Sequence, residues 1–423
     1  MEWKRAPRTA GTAHSLLTRA EESLDELAEL ARSAGAEVAD RVLQARDAPE
    51  AATLVGQGKV QELAAAVASD SADVVIFDHD LTPTQQRNLE KALNCKVIDR
   101  TQLILDIFAA RARTREGRLQ VELAQLNYLR PRLAGHGVEM SRLGGGIGTR
   151  GPGETKLETD RRRIATRIKK VEDDLEGVRA GRALHRRRRG AVPLATVALA
   201  GYTNAGKSTL FNRLTQSGVL ADARMFATLD PTVRPLVLPS RRRVLASDTV
   251  GFIRNLPTTL VKAFRATLEE VTEAALILHV VDGSAPSAAE HVAHVTAVLA
   301  EIGAAAIPQI LVINKVDRLS EADGDLDTLQ RRLKGGAAGH QDQHAVTISA
   351  LTGEGIERLL DLIDTVLPMD PVVRTKLRVP AGDGATLALL HEFGKVLSSQ
   401  YEGEFCDLEV EIPESLKRRL PDF

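Results

Sequence analysis

The chain has 423 residues, more than one ordinary domain holds, so length alone points to about two to four domains. A formal net charge of -1, with 43% hydrophobic and 27% charged residues, suits a globular protein and leaves no global field to gather nucleic acid; any such affinity must come from a local patch. Two cysteines outside any CxxC pattern, Cys95 and Cys406, argue against a disulfide framework or a zinc site, and an aromatic content of 3% argues against a base-stacking RNA platform. No apolar run approaches membrane-spanning length, and the start MEWKRAPRTAGTAHS lacks a signal-peptide core, so the expectation is a cytoplasmic protein with no transmembrane segment.

Residues 1–36 are polar and Ala-rich and read as a poorly ordered N-terminal segment, with one amphipathic helix over LDELAELARSAG. Residues 37–112 alternate strand and helix. VADRVLQA (38–45) reads as a strand, GQGKVQELAAAVAS as a helix, DVVIFD (73–78) as a strand, LTPTQQRNLEKAL as a helix, CKVIDR (95–100) as a strand and TQLILDIFAARA as a helix. That alternation implies a small parallel sheet in an N-terminal α/β subdomain. GQGK at 56–59 lacks the GK[ST] ending of a phosphate loop and reads as a helix N-terminus.

Residues 113–190 read as a long antiparallel helical hairpin. One arm carries Leu119, Leu123, Leu126 and Leu133 on one face; the other carries Leu157, Ile164, Ile168, Val171, Leu175 and Val178 at heptad-like spacing. Helix–helix packing accounts for both stripes. The connection, 135–153, has eight glycines in 19 residues, with His136, Arg142 and Arg150 as its cations. Such a tract is either a linker or a tip whose backbone presses on a phosphate-rich surface; the second is preferred. The second arm holds 13 Lys/Arg against seven Asp/Glu over 154–190 and ends in HRRRR (185–189), which points to RNA contact through phosphates rather than bases.

Residues 193–368 contain a series of nucleotide-site elements in order. GYTNAGKST fits G-x-x-x-x-G-K-[ST] between a buried strand, LATVALA (194–200), and a helix start, LFNRLTQSG (210–218). Gly201, Tyr202, Thr203, Asn204, Ala205, Gly206, Lys207, Ser208 and Thr209 would cradle phosphates with backbone N–H groups and the helix dipole; Lys207 reaches the outer phosphates and Ser208 ligands magnesium. Phe226, Ala227, Thr228, Leu229 and Asp230 belong to a loop that closes over the third phosphate, with Thr228 and Thr232 as alternative magnesium ligands. Asp248, Thr249, Val250 and Gly251 form D-x-x-G: Asp248 holds the metal through water, and the Gly251 N–H senses the last phosphate. Asn314, Lys315, Val316 and Asp317 form NKVD, whose terminal carboxylate pairs with the guanine ring N–H and exocyclic amine, a donor pair adenine lacks. Ser349, Ala350 and Leu351 offer a backbone contact to the guanine carbonyl. Lys207, Gly251 and one of the two threonines, Thr228 or Thr232, are thus the candidate catalytic groups. Where Ras-like GTPases carry a water-orienting Gln after the D-x-x-G glycine, this chain has Phe252, so hydrolysis should be slow unless a partner completes the site. Asn204 is either a potassium ligand or simply a turn residue.

These motifs resemble the HflX GTPases, ribosome-associated members of the Obg–HflX-like group. The resemblance runs over GQGKVQEL (56–63), TREGRLQVELAQL (114–126), SRLGGGIGTRGPGETKLETDRR (141–162), GYTNAGKSTLFN, FATLDPT, DTVGFIRNLP, NKVD and SAL, between about 40 and 370. It implies an N-terminal α/β subdomain, helical hairpin, P-loop G domain (193–368) and small C-terminal α/β domain (372–423). It implies magnesium held by Ser208 and Thr228, GTP hydrolysis stimulated by the large ribosomal subunit, the Gly-rich tip near the peptidyl-transferase region, and splitting of stalled ribosomes under stress. ATP binding is a further property of that family. The alternative is a GTP-dependent protein-binding switch whose partner is not the ribosome; in either case a monomer is expected. The tail 375–419 reads strand–helix–strand–helix.

Overall fold

The computed structural model describes residues 10–46, 48–133, 152–189, 194–216, 225–226, 231–254, 270–319, 329–330, 333, 344–367, 372–417 and 420. Ala227, Thr228, Leu229 and Asp230, and the Gly-rich tip at 135–151, lie outside them.

The chain opens with α1 (Ala10–Ser33). Leu27, Leu30 and Ala31, within the amphipathic helix expected over LDELAELARSAG, are buried in a core with Leu103, Ile104 and Val121, and the helix begins earlier than expected, at Ala10. The three-to-four spacing of those apolar side chains gives the helix one face to bury. Then come α2 (Gln57–Asp70), β1 (Val74–Phe77), α3 (Pro83–Leu93), β2 (Lys96–Asp99) and α4 (Arg100–Arg111). β1 and β2 pair in parallel. Thr82 and Gln85 close a reciprocal cap on α3, whose first residue is Pro83. The strand expected over 38–45 is absent: that stretch has no ladder partner, with Val38 packed on the core and Gln44 accepting the Gly56 N–H at 3.1 Å.

The hairpin arms are α5 (Arg115–Arg132) and α6 (Pro152–Arg189). Glu122 meets Arg167 at 2.5 Å and Arg115 meets Asp174 at 4.0 Å, so residue numbers climb on one arm as they fall on the other and the pair is antiparallel. Ile168, Val171 and Leu175 are buried on α6 as expected. On α5 the most buried positions are Gly117, Gln120, Val121 and Ala124, whereas the Leu119, Leu123 and Leu126 stripe is half-buried. The helix lies between α4 and α6 and therefore buries two faces.

The third unit is a six-stranded sheet of order β4-β5-β3-β6-β7-β8, where β3 is Thr196–Gly201, β4 Thr232–Val237, β5 Arg243–Asp248, β6 Leu276–Asp282, β7 Gln309–Asn314 and β8 His344–Thr347. Only β4 runs antiparallel to its neighbour. β6 and β7 are almost wholly buried, as the continuous apolar runs of a sheet covered on both faces require. Helices α7 (Lys207–Thr215), α8 (Ala288–Glu301) and α9 (Ile356–Val366) pack on it.

The tail forms β9 (Val372–Pro380), α10 (Gly384–Phe393), β10 (Lys395–Glu402), β11 (Phe405–Pro413) and α11 (Glu414–Lys417), an antiparallel sheet of order β10-β11-β9. The strand–helix–strand–helix expectation has one strand where the structure has two, β10 and β11. A tight turn separates them at Gly403, whose φ of +62° suits glycine.

Candidate functional site

The phosphate loop joins β3 to α7. A side chain at Gly201 would strike the Val280 carbonyl at 2.1 Å, and one at Gly206, where φ is +92°, would strike Asn314 Nδ2 at 2.3 Å. Both positions therefore need glycine. Asn204 has φ of +59° and is exposed, which satisfies the turn reading of this residue. Lys207 is buried, and its Nζ donates to the carbonyls of Gly201 at 3.1 Å and Tyr202 at 2.7 Å. Burial lowers its pKa to about 8, against the opposing pull of Asp248.

The D-x-x-G segment is laced to this loop. Phe252 N–H donates to Gly201 O at 3.0 Å, Thr203 N–H donates to Phe252 O at 2.7 Å, and Thr249 Oγ1 donates to Leu199 O at 2.6 Å. Ser208 Oγ donates to Asp248 Oδ2 at 2.8 Å, so the two oxygen groups assigned to magnesium sit side by side. A Cβ on Gly251 would lie 2.8 Å from Thr203 Cγ2 and 3.0 Å from Lys207 Nζ. Gly251 is thus folded against the lysine of the G-K-S run. Phe252 is buried in the core and presents nothing to a water molecule.

The base end is built by strand ends β6, β7 and β8. Asn314 Nδ2 donates to Ala205 O at 2.8 Å and its Oδ1 accepts Ala350 N–H at 2.9 Å, so it ties the phosphate loop to the S-A-L triplet. Asp317 Oδ1 accepts Ser349 Oγ–H at 2.6 Å. Leu351 is 69% exposed. Val316 and Asp317 lie in a short 3-10 turn entered through Lys315, whose φ is +66°.

Three residues of this region went unflagged in the sequence. Asp282, ending β6, pairs with Lys315 Nζ at 2.7 Å. Arg213 of α7 donates to Ala350 O at 3.3 Å and to Leu351 O, clamping the triplet. Glu26 of α1 accepts the Tyr202 hydroxyl at 2.6 Å. The first two sit beside recognised motifs and could have been suspected; Glu26 carries no local signal.

The Tyr202 side chain leaves the phosphate loop, its ring stacked on His291 with centroids 3.9 Å apart. Burial and then Glu26 push its phenol pKa up, so the hydroxyl keeps its proton. Phe226, at the start of the loop over the third phosphate, is buried edge-on to Phe108 of α4 with centroids 4.6 Å apart. Met225 N–H donates to Ser33 Oγ at 2.9 Å. His279, buried in β6 behind the loop, has its pKa lowered to about 4 by burial.

Three family models match in succession: a GTP-binding GTPase N-terminal region over 21–109, its middle region over 111–189, and a 50S ribosome-binding GTPase over 196–315. Among curated relatives, the GTPase HflX of Caldanaerobacter subterraneus subsp. tengcongensis is 47% identical over 95% of this chain and 90% of its own. That of Escherichia coli is 44% identical over 94% of this chain and 92% of its own. A solved complex of SsGBP with GDP covers 82% of this chain and 96% of that one at 24% identity and a TM-score of 0.50, a likeness of fold. With a P-loop, a D-x-x-G turn and an N-K-V-D strand end gathered on one sheet, and relatives matching along nearly the whole chain, the protein belongs to the HflX family of GTPases.

Proposed function

We propose that this GTPase works on the large ribosomal subunit: it binds there as a cytoplasmic monomer, hydrolyses GTP faster when bound, and splits or rescues stalled ribosomes under stress. The observation that carries the reading is the buried Phe252. Among the described residues, the position directly after Gly251 offers no water-orienting side chain, so full turnover needs a group from outside, worth roughly three to five powers of ten where arginine fingers supply it. The solvent face of α6 supports an RNA partner, since Arg161, Arg162, Arg163, Lys169 and Lys170 are exposed on it. The match to a family model described as a 50S ribosome-binding GTPase supports the ribosome in particular.

In this reading Gly201 to Thr209 hold the phosphates, Lys207 meets the charge that develops on the third one, and the Gly251 N–H registers its presence. Asp317 selects guanine while Asn314, Ser349 and Ala350 hold the base-reading loop in shape. The adjacent Ser208 hydroxyl and Asp248 carboxylate are hard oxygen donors that fit magnesium, with Thr228 as the third protein ligand. Bound magnesium neutralises phosphate charge. Potassium at Asn204 is an accessory reading, removed if turnover is equal in potassium and sodium buffers.

Sucrose-gradient sedimentation with large subunits tests the partner. The protein should travel with subunits in a non-hydrolysable GTP analogue and leave them in GDP. Its staying at the top in every nucleotide state would favour a protein partner instead.

A further inference from the structure

Tyr202 is the second residue of the phosphate loop, yet its side chain works outside that loop. The phenol is 5% exposed. Its oxygen accepts the Arg254 N–H at 2.6 Å and donates to Glu26 Oε1 at 2.6 Å. One hydroxyl therefore fastens the phosphate loop to the chain three residues past Gly251, and fastens both to α1. Glu26 is itself fixed. Its Oε2 accepts Arg100 Nη2 at 2.7 Å, and Arg100, 2% exposed, also reaches Asp78 at 2.7 Å. The Arg254 guanidinium adds Glu22 of α1 at 3.2 Å and Glu290 of α8 at 2.8 Å.

We infer that Glu26, a residue of the N-terminal region, is a positioning residue for GTP hydrolysis, acting through the Tyr202 hydroxyl to hold Gly251 at the third-phosphate position. The direction follows from geometry. With this knot tied, Gly251 lies against Lys207 and Thr203, the phosphate-facing arrangement. Untying it removes a buried charge-assisted bond and leaves the 251–254 segment on the Phe252 backbone bonds and the Arg254 ion pairs alone, a looser hold that lets Gly251 drift from the lysine. GDP makes no use of that segment's N–H, whereas GTP does. This inference does not depend on the ribosomal reading.

The test compares Tyr202→Phe and Glu26→Gln in the full chain, titrating a fluorescent GDP and a non-hydrolysable GTP analogue and measuring GTP turnover without any partner. Each variant should weaken the GTP analogue about tenfold, the size of one lost charge-assisted bond, while GDP affinity stays within about twofold. Turnover at saturating GTP should fall in parallel. The double variant should be no worse than Tyr202→Phe alone, because both changes cut one link. Equal weakening of GDP and GTP would mark a merely structural contact and overturn the inference. Unchanged affinity for both nucleotides, or additive effects in the double variant, would overturn it as well.

Discussion

The two ends of the nucleotide site are held in different ways. At the base end, Asp317, Ser349, Asn314, Ala350 and Ala205 bond to one another and to neighbours in the same sheet, its loops and α7, among them Arg213, Thr352 and Glu354. At the phosphate end, Tyr202, Arg254, Met225 and Phe226 lean on Glu26, Glu22, Ser33 and Phe108, which come from α1 and α4. The difference teaches that the N-K-V-D end is held by the G domain alone, whereas the D-x-x-G end also leans on the N-terminal region; under the proposed function, base choice is then self-contained and the third-phosphate groups are not. A GTPase that must respond to a large external partner needs such a split, since a partner gripping the N-terminal region then acts on hydrolysis without disturbing guanine recognition.

Four perturbations break or sharpen this contrast. The largest is Arg100→Ala, which leaves the Glu26 and Asp78 carboxylates without their shared buried cation. Loss of about 3–5 kcal/mol is expected in denaturant unfolding of the N-terminal region, as for other broken buried pairs. A loss under about 1 kcal/mol would show that solvent already screens them.

Gly251→Ala comes next. The added methyl would press on Thr203 Cγ2 and Lys207 Nζ at 2.8 and 3.0 Å. GTP turnover should drop by roughly two to three powers of ten, the scale of losing one aligned donor, with GDP affinity largely retained. Loss of GDP binding in equal measure would deny that the two ends act separately.

Asp317→Asn removes the carboxylate that accepts Ser349 Oγ–H at 2.6 Å and, in the proposed function, reads guanine. Competition titrations should show preference for GTP over ATP reduced roughly hundredfold, from two charge-assisted bonds. An unchanged preference would place base reading elsewhere.

The smallest effect is that of pH. Burial holds Lys207 at about 8, below its ordinary value of 10.5. Between those two values the unfolded chain carries a proton the folded chain lacks, so the ligand-free fold gains stability as pH rises through that window and is indifferent to this group below it. Phosphate binding requires the charged amine, so GDP affinity should fall by about tenfold per pH unit above about 8. A flat affinity from pH 7.5 to 9.5 would contradict the burial of this amine.

The sequence made the base end readable because each motif there is a short run on one strand end, with its chemistry fixed by residue type and order. It made the phosphate loop readable for the same reason: only glycine fits at 201 and 206. The knot at Tyr202 was not readable, since Glu26 lies 176 residues away and its role exists only after the domains pack. The strand expected over 38–45 failed for a related cause. Alternation marks a segment as able to extend, but pairing depends on a neighbour, and Gln44 turns to Gly56 instead. In α5 the Leu stripe was visible, while the deeper face through Val121 and Ala124 was hidden because small residues also line a helix buried on two sides.

The most direct measurement is GTP turnover by this 423-residue chain, alone and with an excess of purified large ribosomal subunits. With Phe252 buried and no water-orienting side chain directly after Gly251, slow hydrolysis alone and at least about a tenfold rise with subunits are expected. Turnover that is the same with and without them would contradict the account.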